Sequence, residues 1–228
     1  MFKSQQVGAI IVAAGRGERM GGTDKIFTLL NEMTALEYIA TAFEISPYID
    51  YITVVLNENN LSRGESLLRQ RGLTKLATIC QGGTRRQDSV LAGLNALPQC
   101  QWVLIHDGAR PLLSQNIIAD GLEAAQETGV ASAAVPITDT IKLADDNHYV
   151  QETLSRQHLW SIQTPQVFRF DIIKAGYMRT ATDVTDDATL VETLGIRVKL
   201  YMGAYDNIKL TTPSDILLAQ ILLNQRNR

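Results

Sequence analysis

A chain of 228 residues, 45% apolar and 20% charged, is long enough for one compact α/β domain with a buried core and too apolar to stay disordered. Its formal net charge of −3 argues against a nucleic-acid partner, which would need a basic field, so small anionic ligands must be held by local cations. Two cysteines, Cys80 and Cys100, show neither CxxC nor zinc spacing, and no apolar run approaches the roughly 20 residues of a membrane span, so a reduced, cytoplasmic protein without a membrane partner is expected.

Short apolar runs alternate with amphipathic segments, the mark of a mostly parallel sheet with helices on both faces. The first predicted strand, Gly8 to Val12, runs into the loop "IIVAAGRGERMGGTDK". Gly15 and Gly17 lack a Cβ, so the backbone there can adopt unusual angles and bring N–H groups close to a phosphate, while Arg19 and Lys25 add positive charge. No GK[ST] ends the loop and Met20 stands where a dinucleotide fingerprint has its third glycine, so it is neither of those motifs. A plain tight turn with two solvated cations is the competing reading. Thr34 and Glu37 have capping-box spacing ahead of a helix, and further strands are predicted over Tyr51 to Leu56 and Ala77 to Cys80.

In "QGGTRRQDSV", Gly82 and Gly83 lead into a helix expected to start near Thr84, with Ser89 on its first turns. Such a helix N-terminus suits a phosphate or a nucleobase edge, although a strand-to-helix turn capped by Thr84 needs no ligand. The strand Trp102 to Ile105 ends in "HDGARP", where ligands of open α/β sheets bind, which marks Asp107 and Arg110. Asp107 could hold Mg²⁺ directly or through water, and His106 reads as a packed strand-end residue.

After the strand Ala131 to Val135 the rhythm breaks. Thr140 to Leu143 and His148 to Thr153 flank the turn-prone Asp145, Asp146 and Asn147, so a hairpin arm is expected between Pro136 and Phe168, packed on something such as a second subunit. Asp139, Thr140, Lys142, Arg156, Thr164, the run Thr185 to Asp187 and Lys209 are polar residues that individually suit a surface. The strand Arg197 to Leu200 and a helix opened by Thr212, Pro213 and Asp215 complete the chain.

In order, "AAGRGERMG", "GGTRRQDSVLAGL", "HDGARP", "DTIK", "TPQVF", "TDDA" and "NIKLTTPSD" resemble the 2-C-methyl-D-erythritol 4-phosphate cytidylyltransferase family, from about Val7 to Ile221. The resemblance implies a single Rossmann-like nucleotidyltransferase domain over 1–228, with a β-arm at about 136–168 that makes a homodimer. It implies a reaction between CTP and a sugar-alcohol phosphate, releasing pyrophosphate, with Mg²⁺ as cofactor, in non-mevalonate isoprenoid synthesis. Position by position, Ala13, Ala14, Gly15, Gly17, Gly82, Gly83, Thr84 and Ser89 would bind the nucleotide, and Arg19 and Lys25 would grip its triphosphate. Asp107, Arg110, Asp139, Thr140, Arg156, Thr164 and Lys209 would face the acceptor, with Thr185 to Asp187 in support. Of these, Arg19, Lys25, Arg156 and Lys209 would be catalytic, as charge rather than as bases.

The chain departs from the family at the loop end. Asp24, Lys25 and Ile26 stand where many members have Pro-Lys-Gln, which puts a carboxylate beside a polyanion. Two other functions share these motifs in part. A ribitol 5-phosphate cytidylyltransferase would differ in its acceptor pocket, and a non-catalytic nucleotide-sensing module would not need Arg19, Lys25, Arg156 and Lys209 together.

Overall fold

The computed structural model describes residues 1–15, 24–179 and 183–226. In chain order the strands are β1 (Val7–Ala13), β2 (Leu29–Leu30), β3 (Met33–Thr34), β4 (Tyr51–Leu56), β5 (Leu76–Gln81), β6 (Trp102–Asp107), β7 (Val130–Pro136), β8 (Lys142–Ala144), β9 (Val150–Thr153), β10 (Trp160–Arg169) and β11 (Lys199–Met202). The helices are α1 (Ala35–Glu44), α2 (Leu61–Gln70), α3 (Arg86–Ala96), α4 (Gln115–Ala125), α5 (Phe170–Arg179), α6 (Asp187–Glu192) and α7 (Pro213–Arg226).

Seven strands form one sheet in the order β11-β7-β10-β6-β1-β4-β5. All pairs are parallel except the two made by β10. Residues of β1 alternate between the faces. Ala9, Ile11 and Ala13 join a core with Phe43 of α1, Leu68 of α2 and Ile118 of α4, whereas Ile10 packs with Val90 and Leu94 of α3 and Ile173 of α5. A strand covered on both sides must be apolar throughout, which is why β1, β4, β6 and β7 are legible as short apolar runs, while the edge strands β5 and β11 are only partly buried.

The capping box expected at Thr34 is present: its hydroxyl accepts the Glu37 N–H at 3.3 Å and Glu37 Oε2 accepts the Thr34 N–H at 2.7 Å. The hairpin is also present, as β8 paired with β9, its turn fastened by Asp145 Oδ1, which accepts the N–H groups of Asn147 and Tyr149.

The arm, however, does not extend to Phe168. Residues 160–169 form β10, which runs from the arm into the middle of the sheet between β6 and β7. Polar residues and a proline made this segment read as arm, but Gln166 is fully buried and its amide donates to Ser132 Oγ at 3.2 Å and Asp186 at 2.8 Å. A smaller difference lies in the last strand, which starts at Lys199 instead of Arg197.

Strand order reverses at β1, which has β4 on one side and β6 on the other. The crevice beyond the carboxyl ends of β1 and β6 is therefore where a ligand is expected. Among the described residues, no helix is long and apolar enough to cross a membrane.

Candidate active site

The loops leaving β1, β5 and β6 close on one another at this crevice. A Cβ on Gly82 would stand 2.5 Å from that of Ala14, and one on Gly108 would stand 2.6 Å from that of Ala13. These glycines are needed for space, and Gly82 spends its N–H on the Leu56 carbonyl at 2.8 Å. At Gly15 a side chain would meet nothing within 4 Å, and the backbone lies outside the left-handed region. A left-handed φ is therefore not what Gly15 contributes, and among the described residues the space beside it is open.

That space is a cleft of about 160 Å³ lined by Ala13, Ala14, Gly15, Lys25, Gly83, Thr84, Ser89, Arg86, Asp107 and Lys209. It shares Ala14, Gly15, Gly83 and Thr84 with a longer groove of about 710 Å³, which adds Gly82, Asp24 and the segment 57–60. Helix α3 starts at Arg86, two residues later than expected, and the turn before it is tied by Ser89 Oγ, which accepts the Gly83 N–H at 3.2 Å. Gly17 and Arg19 lie outside the described residues.

Asp107, the last residue of β6, is the electrostatic centre. Its Oδ1 lies 3.2 Å from Arg86 Nε and its Oδ2 lies 2.6 Å from Lys209 Nζ, with Arg110 Nε at 4.0 Å. Arg86 also reaches the fully buried Asp187 at 2.8 Å, whose other oxygen accepts the Tyr177 hydroxyl at 2.6 Å. Burial works to raise the Asp107 pKa, but Arg86 and Lys209 more than offset it and hold the carboxyl well below the usual range. Asp187, deeper in the fold, stays raised by burial despite Arg86 and Tyr177. Three cations face two carboxylates, leaving one net positive charge before Lys25 is counted.

A second cavity, of about 400 Å³, shares Arg86, Asp107 and Lys209 with the first and adds Arg110, Thr164, Gln166, Thr185 and Asp186. Its size falls within the roughly 300–1,000 Å³ of small-ligand sites. The Thr164 hydroxyl accepts the Asp107 N–H at 3.0 Å and, with its own hydrogen, meets His106 Nδ1 at 3.1 Å. His106 Nε2 donates to the Arg110 carbonyl at 3.0 Å. Burial pushes the His106 pKa down to about 4, so the ring is a neutral brace that orders Asp107 and Arg110. Arg110 gives one N–H to the Asn207 carbonyl at 2.7 Å, while its buried Nε makes no hydrogen bond among the described residues.

The expected acceptor residues are therefore divided. Asp107, Arg110, Thr164 and Lys209 line the second cavity. Asp139, Thr140 and Arg156 are exposed on or beside the hairpin and line neither cavity; the Arg156 guanidinium donates to the Thr138 carbonyl instead. Sequence reasoning missed Arg86 and Gln166. Adjacent Arg85 and Arg86 look alike in a string, yet Arg85 turns out to Asp88 and Asp183 while Arg86 turns in to Asp107 and Asp187.

Direct coordination of a metal by Asp107 does not fit this arrangement, since both of its oxygens face cations. Among the described residues no group of three or more His, Cys, Asp or Glu side chains is placed to hold an ion.

Residues 7–225 match the family model described as IspD: 2-C-methyl-D-erythritol 4-phosphate cytidylyltransferase. The chain is 52% identical over 225 residues to the 2-C-methyl-D-erythritol 4-phosphate cytidylyltransferase of Dehalococcoides mccartyi, covering 99% of both chains. It is 41% identical to the enzyme of the same name from Alkaliphilus metalliredigens, covering 99% of this chain and 96% of that one. Among solved structures, it is similar to the 4-diphosphocytidyl-2C-methyl-D-erythritol synthase of Anaerococcus prevotii, with a TM-score of 0.84 and 32% identity over 96% of this chain and 99% of that one. The Thermus thermophilus 2-C-methyl-D-erythritol 4-phosphate cytidylyltransferase follows, with a TM-score of 0.80 and 31% identity at the same coverage.

Proposed function

Because this chain belongs to the 2-C-methyl-D-erythritol 4-phosphate cytidylyltransferase family, we infer that it transfers the cytidylyl group of CTP to 2-C-methyl-D-erythritol 4-phosphate in isoprenoid precursor synthesis. The observation that carries the mechanism is a pair of adjoining cavities sharing Arg86, Asp107 and Lys209, one opening onto the loop after β1 and the other onto Thr164 and Arg110.

A phosphate oxygen of the acceptor attacks the α-phosphorus of CTP. One P–O bond forms, the bond from the α-phosphorus to the bridging oxygen breaks, and pyrophosphate leaves with that electron pair. The acceptor phosphate is already largely ionised near neutral pH, so no general base is needed. The requirement is to hold two anions together. Lys25 and Arg19 serve the triphosphate. Lys209, anchored at 2.6 Å by Asp107 where the cavities join, faces the reacting phosphates. Each 1.36 kcal/mol of added transition-state stabilisation is worth about tenfold in rate, so a few fixed cations account for much of the catalysis.

Mg²⁺ would be held by the oxygens of the triphosphate, with Asp107 reaching it only through water. The chain would act as a homodimer in which the hairpin carries Asp139, Thr140 and Arg156 to the acceptor cavity of the partner. Supporting this are the exposed apolar residues Leu143, Tyr149 and Val150 on the hairpin and the fact that, among the described residues, none from the hairpin lines either of the two cavities that share Asp107. A cytoplasmic location is supported by Cys80 and Cys100, both free, the latter with its thiol pushed up to about 11 by burial.

Pyrophosphate release, measured with each of the four nucleoside triphosphates against methylerythritol phosphate and ribitol 5-phosphate, tests the assignment. Release is expected with CTP and methylerythritol phosphate alone. Release with ribitol phosphate and not with methylerythritol phosphate would reassign the acceptor, and no release with any pair would leave a non-catalytic module.

A further inference from the structure

The residue before Lys25 is a carboxylate on the wall of a groove that must take a polyanion, and the structure shows what it does there. Both oxygens of Asp24 are engaged: Oδ1 accepts the Ile26 N–H at 3.4 Å, and Oδ2 accepts the side-chain amide of Asn60. The Asp24 carbonyl accepts the Phe27 N–H at 3.0 Å, which closes the 3-10 turn Lys25–Phe27. Asn60 is itself fixed. It is 9% exposed at the entry to α2, and its backbone N–H is held by the Asn57 side chain at 3.1 Å and the Asn57 carbonyl at 3.0 Å. The Asp24 carboxylate therefore sits at the amino end of α2, where the helix dipole favours negative charge. On the other flank Ile26 and Phe27 are buried, and the Arg63 guanidinium lies 4.1 Å from the centre of the Phe27 ring.

Lys25 lines the nucleotide cleft from between these anchors. Its side chain is long and flexible, so a backbone held in place at Lys25 fixes the point from which the ammonium reaches. We propose that the hydrogen bond between Asn60 and Asp24 is a positioning device that fixes Lys25 against the triphosphate while drawing the Asp24 charge toward α2. Neither residue touches the reacting atoms. The proposal rests on the reading of Lys25 as a triphosphate ligand and goes beyond it by naming what places that ligand.

The test is a double-mutant cycle on the full-length enzyme, with kcat and KM for both substrates and the thermal midpoint as readouts. Asn60→Ala is expected to lower kcat about tenfold, within the ~100-fold that a 1 Å misplacement can cost, with the acceptor KM unchanged and the midpoint lowered by only about 2–6 °C, so that the protein stays folded at the assay temperature. Added to Lys25→Ala it is expected to have no further effect, because the group it places is gone. Asp24→Asn, whose amide oxygen still accepts from Asn60, should keep most of kcat, and Asp24→Ala should not; this pair decides the matter if Asn60→Ala folds poorly. Losses from Asn60→Ala and Lys25→Ala that multiply, or Asp24→Ala with wild-type kcat, would overturn the proposal while leaving Lys25 in its role. Lys25→Ala with unchanged kcat would remove both.

Discussion

The carboxyl edge of β6 and the β8–β9 hairpin hold their polar residues in opposite ways. At the edge, Asp107 is 8% exposed and Asp187 fully buried, and Arg86 and Lys209 sit between or beside them at ion-pair distance. Removing Arg86 would leave the buried Asp187 carboxylate without its cation, a cost of about 3–5 kcal/mol, so the fold itself enforces the geometry at that residue. On and beside the hairpin, Thr140 and Arg156 stand in solvent, and every residue of β8 and β9 is exposed. The difference teaches that one chain encloses Asp107, Arg110, Thr164 and Lys209 around its own cavities while holding Asp139, Thr140 and Arg156 away from both, which is the observation behind the proposal that the hairpin serves a partner.

The comparison is sharpened most by two variants that disable the two regions separately. Lys209→Ala removes a cation from the shared wall of the cavities and is expected to lower kcat/KM about 10³-fold, or roughly 4 kcal/mol. Arg156→Ala is expected to lose a similar amount. If the arm serves the partner, mixing the two inactive proteins in equal amounts and allowing exchange restores about one quarter of wild-type turnover, because half the dimers then contain one intact site. If each arm served its own chain, the mixture would stay inactive, and the proposed exchange of Arg156 would be wrong.

How far the two regions could be read from the string follows the same division. Four strands of the sheet, β1, β4, β6 and β7, were legible because burial on both faces makes them apolar runs, the edge strands β5 and β11 were legible from their place in the alternation with helices, and the Asp145 turn was legible because its residues act locally. β10 was not. Gln163, Thr164, Pro165 and Gln166 look like surface, and only partners distant in sequence, such as Ser132, Asp186 and Asn207, make their burial tolerable. Asp107 and Lys209 were legible through the order of the motifs, but not their 2.6 Å contact across 102 positions of sequence. Arg86 differed from Arg85 only by the direction each takes from the start of α3, which no spacing rule encodes. The carboxylate of Asp24 looked like a conflict with the nucleotide because Asn60, its partner, lies 36 residues on.

A second, smaller effect separates the buried edge by pH. His106 has its pKa pushed from about 6.5 down to about 4 by burial, so between these values the unfolded chain binds a proton that the folded chain refuses. The associated stability is complete above pH 6.5 and is lost as the pH falls toward 4, with an upper limit of roughly 3 kcal/mol. Urea unfolding at pH 7.5 and at pH 5 is expected to differ by about 2 kcal/mol from this group, and His106→Asn should reduce that difference. An undiminished difference in the variant would mean that His106 does not supply it, and that the brace between Thr164 and the Arg110 carbonyl is not what acid breaks.

The smallest effect is expected where the arm meets solvent, and its smallness is the point. Tyr149 is 74% exposed and Val150 is 59% exposed, so within a single chain they bury little apolar surface. Replacing them together, as Tyr149→Ser with Val150→Thr, should change the unfolding free energy of the dissociated chain by no more than about 0.5 kcal/mol. The same pair should weaken self-association measured by sedimentation, because a second copy is the surface proposed to cover them. A loss of stability well above 1 kcal/mol in the dissociated chain would show that the hairpin packs on its own body. The contrast between a braced edge and a free arm would then fail, and with it the reason for sending Arg156 to the partner.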